Sequence, residues 1–505
     1  MKDFTGRGAD CFYWFGNEQL VETDPQDVVD YPGAVICHDF WMIRDALFDK
    51  AGALPNTIID LDEFRISTSG NPSDRLSREK HDITTAMEGY GAEKEVASAY
   101  KRMFNKAIAF DPEVAAKAAA ALARMYDGLC AQAHESGEAE RFFDVEVPVY
   151  RLLQAAMAAG ISIDGRLLSE MRAEAEHDYF TCLKEYSAKH GMPLETPNTA
   201  ALEEKLLDEG FVLDDVSVEY LLEYVPHQRN FGGDTLALQE ADAVRRVLGS
   251  LTLSSTGTRP ILDVFGSRTS RVHLRNPSLQ NIPKKYRGII KAHEGAKLAY
   301  VDFDQYEVGI MAALSEDPEL KKLYASGDMY DLFATTHLGV AGNRKAAKQL
   351  FLSYAYGMSR KALIDAAVSL GADRTRAKSA FKLFERYETW KRSVWNEFRT
   401  NGRVATLLGN HYRREGYGDL TGKEQRSAVS QVVQGTASLI FKKALLDVGK
   451  LDDVTIILPM HDALLFEHRS KGTPNKVVTA FKNAMTTTLK GRVSGKASLG
   501  VFAGG

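Results

Sequence analysis

Two short apolar segments, each leading into an aspartate, constrain this chain more than any other feature of its sequence. Leu298–Val301 is followed at once by Asp302, and Val454–Leu458 is followed after a short turn by His461-Asp462. Short apolar runs bounded by polar residues are typical of buried strands. We therefore predict two strands, distant in sequence, whose aspartates meet at one place.

Rigidly held pairs of carboxylates are used in phosphoryl transfer. Hard oxygen ligands hold two Mg²⁺ ions roughly 4 Å apart, where one ion activates an attacking hydroxyl and the other stabilises the leaving group. Taken alone, each aspartate is more often a turn or capping residue, and a His-Asp dipeptide is common by chance. The segment between the two aspartates therefore decides between a catalytic and a structural interpretation.

That segment contains a helical pattern, Arg344–Gly357, with a distinctive stripe. Arg344, Lys348, Leu352 and Tyr356 recur every four residues, and at about 100° per residue each step drifts only about 40°. Two cations, an apolar side chain and an aromatic ring thus share one face, in an order that suits the phosphates, sugar and base of a nucleotide. An ordinary amphipathic helix with a basic edge is the alternative on spacing alone.

The rest of the chain indicates a mixed α/β protein with several domains. The first hundred residues contain strand-like runs at Ala34–Cys37 and Thr57–Leu61, and a helix is predicted to begin at Pro112 and to run to about Cys130, before a polar boundary at His134–Glu140. Further helices are predicted at Val149–Ala159, Gly165–His190, Thr199–Glu209 and Ser217–Tyr224, and a loop at Thr252–Pro260.

Composition bounds the class of protein only broadly. A length of 505 residues suits roughly three or four domains. The formal charge of −5 argues weakly against a nucleic-acid coat protein, but not against an enzyme that binds nucleic acid in one cleft. The sequence predicts neither a membrane span nor a secretion signal. Its four scattered cysteines favour buried or free thiols in a reducing cytoplasm.

Several segments resemble, in the expected order, the motifs of family A (DNA polymerase I-like) DNA polymerases. Asp302–Glu307 is similar to the first palm motif of that family, Arg344–Gly357 to its fingers motif, and His461-Asp462 to its last palm motif. Four more segments match: Val147–Asp164, Ser270–Pro283, Gly402–Gly409 and Arg426–Ala437. The resemblance covers roughly residues 144–505.

The resemblance implies an α/β multidomain fold with an α+β palm, arranged as a right-hand polymerase. The implied domains are an N-terminal α/β exonuclease-like domain at 1–143, a thumb at 144–262, a palm at 263–310 and 418–505, and fingers at 311–417. The implied activity is template-directed extension of a primer 3′-hydroxyl with dNTPs by two-metal nucleotidyl transfer. The implied partners are primer-template DNA and dNTPs, with replication accessory proteins as a further class, and the chain is expected to be a monomer.

Roles for individual residues follow from the same resemblance. Asp302 and Asp462 would ligate two Mg²⁺ ions, which Mn²⁺ can replace, together with the backbone carbonyl of Phe303. The nucleotide-binding residues would be Arg344, Lys348, Leu352, Tyr356, Glu307, Gln305 and His461. The DNA-binding residues would be Arg271, Gln280, Arg426, Gln434 and His461. Among these, Arg344 and Lys348 would contact the triphosphate, and Glu307 would be the steric gate against a ribose 2′-hydroxyl.

Four positions depart from the family pattern. Leu352 stands where an aromatic residue normally faces the nucleotide sugar, and Ala463 replaces the Glu that usually follows the catalytic Asp. Ser430 replaces an Asn. Asp304 adds a carboxylate beside Asp302, and we interpret it as a solvent-facing or capping residue, with a third metal ligand as the alternative. For His461, a structural role is the alternative to nucleotide or DNA binding.

The first domain resembles an exonuclease only faintly. Ile36–Ile43 and Ile58–Asp60 are similar to later exonuclease segments, but no Asp-x-Glu strand precedes them, and Ile43 stands where a catalytic aspartate should be. We therefore predict a degenerate, inactive domain, with an unrelated accessory module as the alternative. The carboxylates of this region, namely Asp39, Asp45, Asp60 and Asp62, are predicted to be surface or turn residues. A compact polymerase without proofreading would suit a phage, plasmid or organelle replicon.

Two other functions remain to be separated from this one. A single-subunit RNA polymerase shares the palm plan and two catalytic aspartates. Glu307 argues against this function, because an RNA polymerase must accept the 2′-hydroxyl of a ribonucleotide. A catalytically silent DNA-binding or scaffold protein would have no need to keep Asp302, Asp462, Arg344 and Lys348 together.

Overall fold

The computed structural model describes residues 12–16, 19–71, 74, 82–208, 218, 229–251, 257–340, 342, 344–358 and 360–504. The chain divides into two compact units. The first contains Met1–Ala159, Leu262–His273 and Lys297–Gly500, and the second contains Gly160–Ile261, Leu274–Ala296 and Val501–Gly505. Of the predicted helix Ser217–Tyr224 and the predicted loop Thr252–Pro260, residues 217, 219–224 and 252–256 lie outside the described residues.

The strands of the described residues are, in order, β1 Phe12–Gly16, β2 Gln19–Thr23, β3 Ala34–Cys37, β4 Thr57–Asp60, β5 Ile261–Asp263, β6 His273–Arg275, β7 Lys297–Phe303, β8 Arg403–Thr406, β9 Gly409–Arg413, β10 Thr455–Pro459, β11 Ala463–His468 and β12 Ala497–Gly500. The four predicted strands, β3, β4, β7 and β10, are confirmed to within two residues at each end.

The helices, in chain order, are α1 Pro25–Asp30, α2 Trp41–Ala51, α3 Leu61–Ser69, α4 Ile83–Ala86, α5 Lys94–Phe104, α6 Pro112–Ser136, α7 Ala139–Arg141, α8 Val147–Ala159, α9 Gly165–His190, α10 Thr199–Asp208, α11 Arg229–Ser250, α12 Tyr306–Ser315, α13 Pro318–Ala325, α14 Met329–Leu332, α15 Arg344–Tyr356, α16 Arg360–Ser369, α17 Arg374–Ala380, α18 Glu385–Asn401, α19 Gly422–Val448 and α20 Thr473–Thr488. Short 3₁₀ or π segments lie at Met87–Tyr90, Phe142–Glu146, Leu279–Asn281, Lys284–Ile289 and Phe333–Leu338. None of the helices in the described ranges is long and apolar enough to cross a membrane.

A four-stranded antiparallel sheet holds the centre of the first unit, in the order β10-β11-β7-β12. Every residue of β11 is buried, because the strand lies between two others and α20 packs against β7 and β12. α19 packs in turn against α20. A strand buried in this way has a continuous apolar sequence rather than an alternating one. Ala463–Phe466 has this continuous pattern.

The N-terminal part of the first unit contains a parallel strand pair. β3 and β4 pair in parallel with Ala34 opposite Thr57, and α2 connects them. Asp60, predicted to be a surface or turn carboxylate, is in fact buried and caps α3 by accepting a hydrogen bond from the Asp62 amide at 2.9 Å. Burial is tolerated because the second carboxylate oxygen accepts from the Phe40 amide at 2.8 Å and the Tyr150 hydroxyl at 3.0 Å.

The long helix α6 begins as predicted but ends later. Asp111 accepts hydrogen bonds from the Glu113 and Val114 amides, and Pro112 is the first residue. The helix continues past Cys130 to Ser136 and ends at Gly137, which adopts φ +77°. The predicted polar boundary at His134–Glu140 therefore begins inside the helix, because polar residues on an exposed face do not end a helix and a left-handed glycine does.

The second unit is helical. Asp164 caps α9 through the Leu167 amide at 3.0 Å, and Asn198 caps α10 through the Ala201 amide at 2.9 Å. Both helices were predicted: α9 has the predicted bounds, and α10 begins at the predicted residue, while its predicted end, Glu209, lies outside the described residues. α9 packs along α11, and their shared core includes Tyr186 and Leu238.

Candidate active site

The two predicted aspartates lie side by side at one edge of the central sheet. Asp302 is the penultimate residue of β7, and Asp462 immediately precedes β11. β7 and β11 pair so that Ala463 is opposite Asp302. The turn between β10 and β11 is closed by a hydrogen bond from the Met460 amide to the Ala463 carbonyl at 2.8 Å. The predicted strand and the short turn after it are thus confirmed, and the two carboxylates lie at the ends of neighbouring strands.

Burial raises the pKa of both carboxylates, and repulsion by neighbouring carboxylates adds to the shift of Asp302. Burial, followed by the charges of Asp462 and Asp304, raises the pKa of Asp302 to about 6. Burial also raises the pKa of Asp462, although Arg271 and Lys348 oppose the shift. Neighbouring carboxylates in a dry site favour either a proton or a bound cation.

The aspartates open onto a cleft with a volume of about 660 Å³. Its walls are formed by Asp302, Phe303, Asp304, Gln305, Tyr306, Glu307, Gly327, Asp328, Tyr330, Arg344, Lys348, Leu352, Asp462 and Lys496. This set contains five carboxylates and three cations. The excess of negative charge would repel a triphosphate unless divalent cations entered with it, and oxygen donors are what Mg²⁺ prefers. The donor set therefore fits a magnesium site.

The protein supplies only part of such a site. Across the described stretches of the chain, no three His, Cys, Asp or Glu side chains form a group that could hold a metal ion. Asp302 and Asp462 would therefore need further oxygen ligands from a backbone carbonyl, water or phosphate. Asp304 lines the cleft, but its carboxylate accepts a hydrogen bond from the Ser498 hydroxyl at 2.8 Å. That contact joins Asp304 to β12 and does not cap a helix.

The stripe on α15 faces this cleft. Three of its four members, Arg344, Lys348 and Leu352, line the same cleft as the two aspartates. Arg344 forms an ion pair with Asp328, and the cationic groups of Arg344 and Lys348 lie 5.6 and 5.8 Å from the centre of the Tyr330 ring. The helix is therefore more than an amphipathic surface helix with a basic edge, because its basic residues converge on the carboxylates.

Glu307 joins three of the predicted site residues. Its carboxylate accepts hydrogen bonds from the Tyr356 hydroxyl at 2.7 Å, from Gln434 Nε2 at 3.2 Å and from the Arg271 guanidinium at 3.3 Å. Ser430, where the family pattern has Asn, donates to Gln434 Oε1 at 3.1 Å. Residues separated by up to 163 positions, from Arg271 to Gln434, thus form one polar cluster beside the cleft.

Gln305 occupies a strained position at the entrance to α12. It has φ +54°, in the left-handed region that few residues other than glycine adopt. Its Nε2 donates to the Gly327 carbonyl at 2.7 Å, while its buried Oε1 has no hydrogen-bond partner. Phe303, predicted to contribute its backbone carbonyl, packs its ring on Tyr306 at 4.0 Å between centroids.

The remaining predicted DNA-binding residues lie outside this cluster. His461 is exposed, with its ring edge-on to His273 at 6.1 Å between centroids, so it is not a core histidine. Arg426 is exposed on α19. Gln280 belongs to the second unit, where its side chain is buried and its Oε1 accepts from the Leu274 amide at 3.0 Å.

Sequence reasoning missed four residues of the cleft, of which Gly327 contributes only backbone. Asp328, Tyr330 and Lys496 all line it, yet none lies in a segment singled out from the sequence. Asp328 could have been found as a helix cap, since it precedes α14 and accepts from the Tyr330 and Asp331 amides. Lys496 has no sequence signal, because only sheet pairing brings it to the site.

The family model for "DNA polymerase family A" matches residues 250–501. The chain is 28% identical to "DNA polymerase I, thermostable" of Thermus filiformis over 369 residues, which are 64% of this chain and 43% of that protein. It is 29% identical to "DNA polymerase I" of Aquifex aeolicus over 229 residues, 41% of this chain and 38% of that protein. The chain thus spans less than half the length of these relatives.

The fold is similar to the POL domain of Pol1 from M. smegmatis, solved in complex with DNA primer-template and dNTP. The likeness has a TM-score of 0.72 at 21% identity and covers 94% of this chain and 86% of that one. The family model includes both aspartates and the whole stripe of α15. The chain therefore belongs to DNA polymerase family A.

Proposed function

We propose that this protein is a template-directed DNA polymerase that extends a primer 3′-hydroxyl with dNTPs and releases pyrophosphate. The observation that carries the proposal is the convergence of Asp302 and Asp462 with Arg344 and Lys348 on one cleft. Family membership and the primer-template and dNTP bound by the similar POL domain support it. The work of the protein is positioning and charge stabilisation, with no covalent intermediate on a side chain.

The proposed architecture is the right hand. The thumb spans 144–262, the palm 263–310 and 418–505, and the fingers 311–417. The central sheet with its two aspartates lies within the proposed palm, and α15 within the proposed fingers. We propose that closure of the fingers around a correctly shaped base pair completes the site and so selects the nucleotide.

Asp302, Asp462 and the backbone carbonyl of Phe303 would hold two Mg²⁺ ions, or Mn²⁺ in their place. When bound, the ions lower the pKa of the primer hydroxyl and neutralise charge on the leaving pyrophosphate. The raised pKa values of the two carboxylates support this role, because a bound cation offsets the burial of both charges and relieves the repulsion that Asp462 and Asp304 exert on Asp302.

The residues of α15 would position the nucleotide. Arg344 and Lys348 hold the triphosphate, so that the α-phosphate lies in line with the primer 3′-oxygen. The new bond forms between that oxygen and the α-phosphorus while the bond to pyrophosphate breaks. Leu352 and Tyr356 would border the sugar and the nascent base pair. Because Arg344 is ion-paired with Asp328, nucleotide binding exchanges that carboxylate for phosphate oxygens.

The nucleic acid would be held by a separate set of side chains. Arg271 and Gln434 would contact the minor groove near the primer end, and His461 the terminal phosphate of the primer. Arg426 and Gln280 complete the proposed DNA-binding set. The exposure of His461 and Arg426 supports contact with a partner, whereas Gln280 would act through the backbone that its buried amide holds in place.

An RNA polymerase is the second candidate, and Glu307 opposes it. The three hydrogen bonds to its carboxylate fix it beside the cleft, where it would fill the space that a 2′-hydroxyl needs. Comparing dNTP with NTP incorporation on one primed template decides between the two polymerases.

Primer extension by isosteric variants tests the proposal. Asp302→Asn and Asp462→Asn are expected to lower extension by at least about a thousandfold, while binding of primer-template stays within about threefold of wild type. Asp452→Asn, at an exposed carboxylate of the same unit, is the matched control and should extend normally. Extension by either variant at wild-type rate would remove the aspartates from the chemistry, and a wild-type protein that binds DNA without extending it would favour the scaffold alternative.

A further inference from the structure

Lys496 is a cleft residue to which neither the family motifs nor the proposed mechanism gives a role. It lies just before β12, and β12 pairs with β7 so that Ala497 is opposite Phe303. The Lys496 carbonyl accepts a hydrogen bond from the Asp304 amide at 3.0 Å. Sheet pairing thus fixes the backbone of Lys496 within two residues of the position opposite Asp302.

The side chain of Lys496 is held by the end of a helix. Its ammonium donates to the Tyr324 carbonyl, and to the Ser326 carbonyl at 2.7 Å, and it lies 4.7 Å from the centre of the Tyr324 ring. These carbonyls are at the C-terminal end of α13, where a cation is favoured. An ammonium has three N–H donors, so one remains for a ligand in the cleft that Lys496 lines.

The position of this charge complements the stripe on α15. Arg344 and Lys348 project from the helical wall, whereas Lys496 comes from the strand wall beside Asp304. Burial lowers the pKa of Lys496, and the carboxylate of Asp304 opposes the shift. A polyphosphate bound in this cleft would therefore meet cations from two separate elements.

We propose that Lys496 is a third cationic contact for the β- and γ-phosphates of the incoming nucleotide, and for pyrophosphate in the reverse reaction. The inference rests on the proposed function, since it assigns a residue to the same cleft. It predicts a subsite for polyphosphate that two structural elements share: the helix that carries Arg344 and the strand that follows Lys496.

Magnesium tripolyphosphate is the probe, because it carries the phosphate chain without sugar or base. Calorimetric titration of the full chain is expected to show Lys496→Met binding it about tenfold more weakly than wild type, the loss typical of one hydrogen bond to a charged group. Lys496→Arg should bind within about threefold of wild type. Lys476→Met, at an exposed lysine of α20, is the matched control and should bind like wild type.

Single-turnover incorporation gives the second readout. Lys496→Met should raise the dNTP concentration for half-maximal rate by the same factor of about ten, with the maximal rate changed less than about threefold. A purely structural cap on α13 would instead lower the melting temperature and leave tripolyphosphate affinity unchanged, and that result would overturn the inference. Lys496→Gln, which keeps a donor for the carbonyls, replaces the Met variant if the latter does not fold.

The two proposals fail in different ways. If wild type extends primers but Lys496→Met and Lys496→Gln both bind tripolyphosphate normally, the Lys496 contact is wrong and the polymerase stands. If wild type binds tripolyphosphate through Lys496 but extends no primer, the subsite stands and the polymerase proposal is wrong.

Discussion

Glu307 accepts hydrogen bonds from three side chains that come from separate parts of the chain. The bond from Tyr356 is the shortest, at 2.7 Å, and the other two share the second carboxylate oxygen. Its side chain is only 17% exposed, so neither oxygen is free to rotate into solvent. A carboxylate fixed in this way can exclude a 2′-hydroxyl by its volume.

Replacing Glu307 with alanine should weaken sugar discrimination. Glu307→Ala opens space beside the sugar, and the ratio of NTP to dNTP incorporation, measured as kcat/KM on one template, should rise by at least about tenfold. Tyr356→Phe is the matched contrast, because it removes one hydrogen bond and leaves the carboxylate in place. If Tyr356→Phe raised the ratio as much as Glu307→Ala, the orientation of the cluster rather than the volume of Glu307 would control discrimination.

Asp302 should make the metal-free protein less stable at neutral pH than at pH 4. Its pKa in the folded protein is about 6, against an ordinary value of 3.8. Between these values the unfolded state loses the proton first, so this group's contribution to stability falls as pH rises from about 4 to 6 and stays low above that. Asp302→Asn removes the titration, and should raise the free energy of unfolding in EDTA by on the order of 2 kcal/mol at pH 7 and by little at pH 4.

The measurement is urea denaturation of wild type and Asp302→Asn at both pH values. Adding Mg²⁺ at pH 7 should stabilise wild type, because a cation replaces the proton, and should leave Asp302→Asn nearly unchanged. Equal stabilisation of both proteins by Mg²⁺ would mean that the ion binds elsewhere.

At the scale of elements, the sequence predicted what local chemistry controls. Asp111 and Asp164 cap helices that begin where predicted, since a capping side chain acts on the next three residues. The apolar run of β10 was visible because four of its five residues are buried, and that of β7 was visible although only Val301 and Phe303 are buried there. The stripe on α15 could be predicted from helical geometry alone.

Contacts between distant segments could not be predicted in this way. Glu138, at the start of α7, is fully buried and accepts hydrogen bonds from the amides of Asn410 and His411, both at 2.8 Å, and from the Arg141 guanidinium. No local pattern pairs Glu138 with a strand 272 residues later, because the choice among similar carboxylates depends on which one the fold buries. Lys496 could not be predicted either, because only the pairing of β12 with β7 brings it to the cleft.

Truncating Glu138 should destabilise the first unit strongly. Glu138→Ala leaves Arg141 and the two β9 amides short of a partner, and removing one member of a buried ion pair typically costs about 3–5 kcal/mol. Glu140→Ala, at the exposed neighbouring position of α7, is the matched control and should change stability by less than about 0.5 kcal/mol. Urea denaturation at pH 7 gives both values.

The same variant has a pH signature. Burial alone would raise the pKa of Glu138, but Arg141 and the hydrogen bonds from His411 and Asn410 lower it to about 2, against an ordinary 4.5. A lowered carboxyl pKa contributes stability above about pH 4.5 that is lost as pH falls toward 2. The difference between wild type and Glu138→Ala should therefore shrink on acidification over that window, and a difference independent of pH would show that packing, not charge, is responsible.

At the scale of the whole molecule, the likeness of fold extends further than the likeness of sequence. The family model begins at residue 250, whereas the likeness to the Pol1 POL domain covers 94% of the chain. Much of the N-terminal half therefore shares that fold, including residues outside the family model. Its strand pair and connecting helix, β3-α2-β4, are consistent with the predicted exonuclease-like α/β domain, but a shared fold does not carry an activity.

The carboxylates of this N-terminal region are engaged in holding the fold. Both oxygens of Asp60 accept hydrogen bonds within the protein. Asp39 is bonded to His38 at 3.0 Å and to the Trp41 indole at 3.1 Å. A metal-dependent nuclease needs carboxylate oxygens that remain open to ions, so these contacts argue for a structural role.

We therefore expect the wild-type protein not to trim a mismatched primer end. A labelled primer with a 3′ mismatch should keep its length in Mg²⁺ without dNTPs, with pyrophosphatase present to prevent reversal of the polymerase reaction. Asp302→Asn serves as the control, because it should remove any shortening that arises in the polymerase cleft and leave a separate nuclease untouched. The contrary result would be release of deoxynucleoside monophosphates by both wild type and Asp302→Asn, with loss of that release in Asp60→Asn protein that still folds. It would place a working exonuclease in the first 143 residues, because only hydrolysis at a second site can survive the loss of the polymerase site.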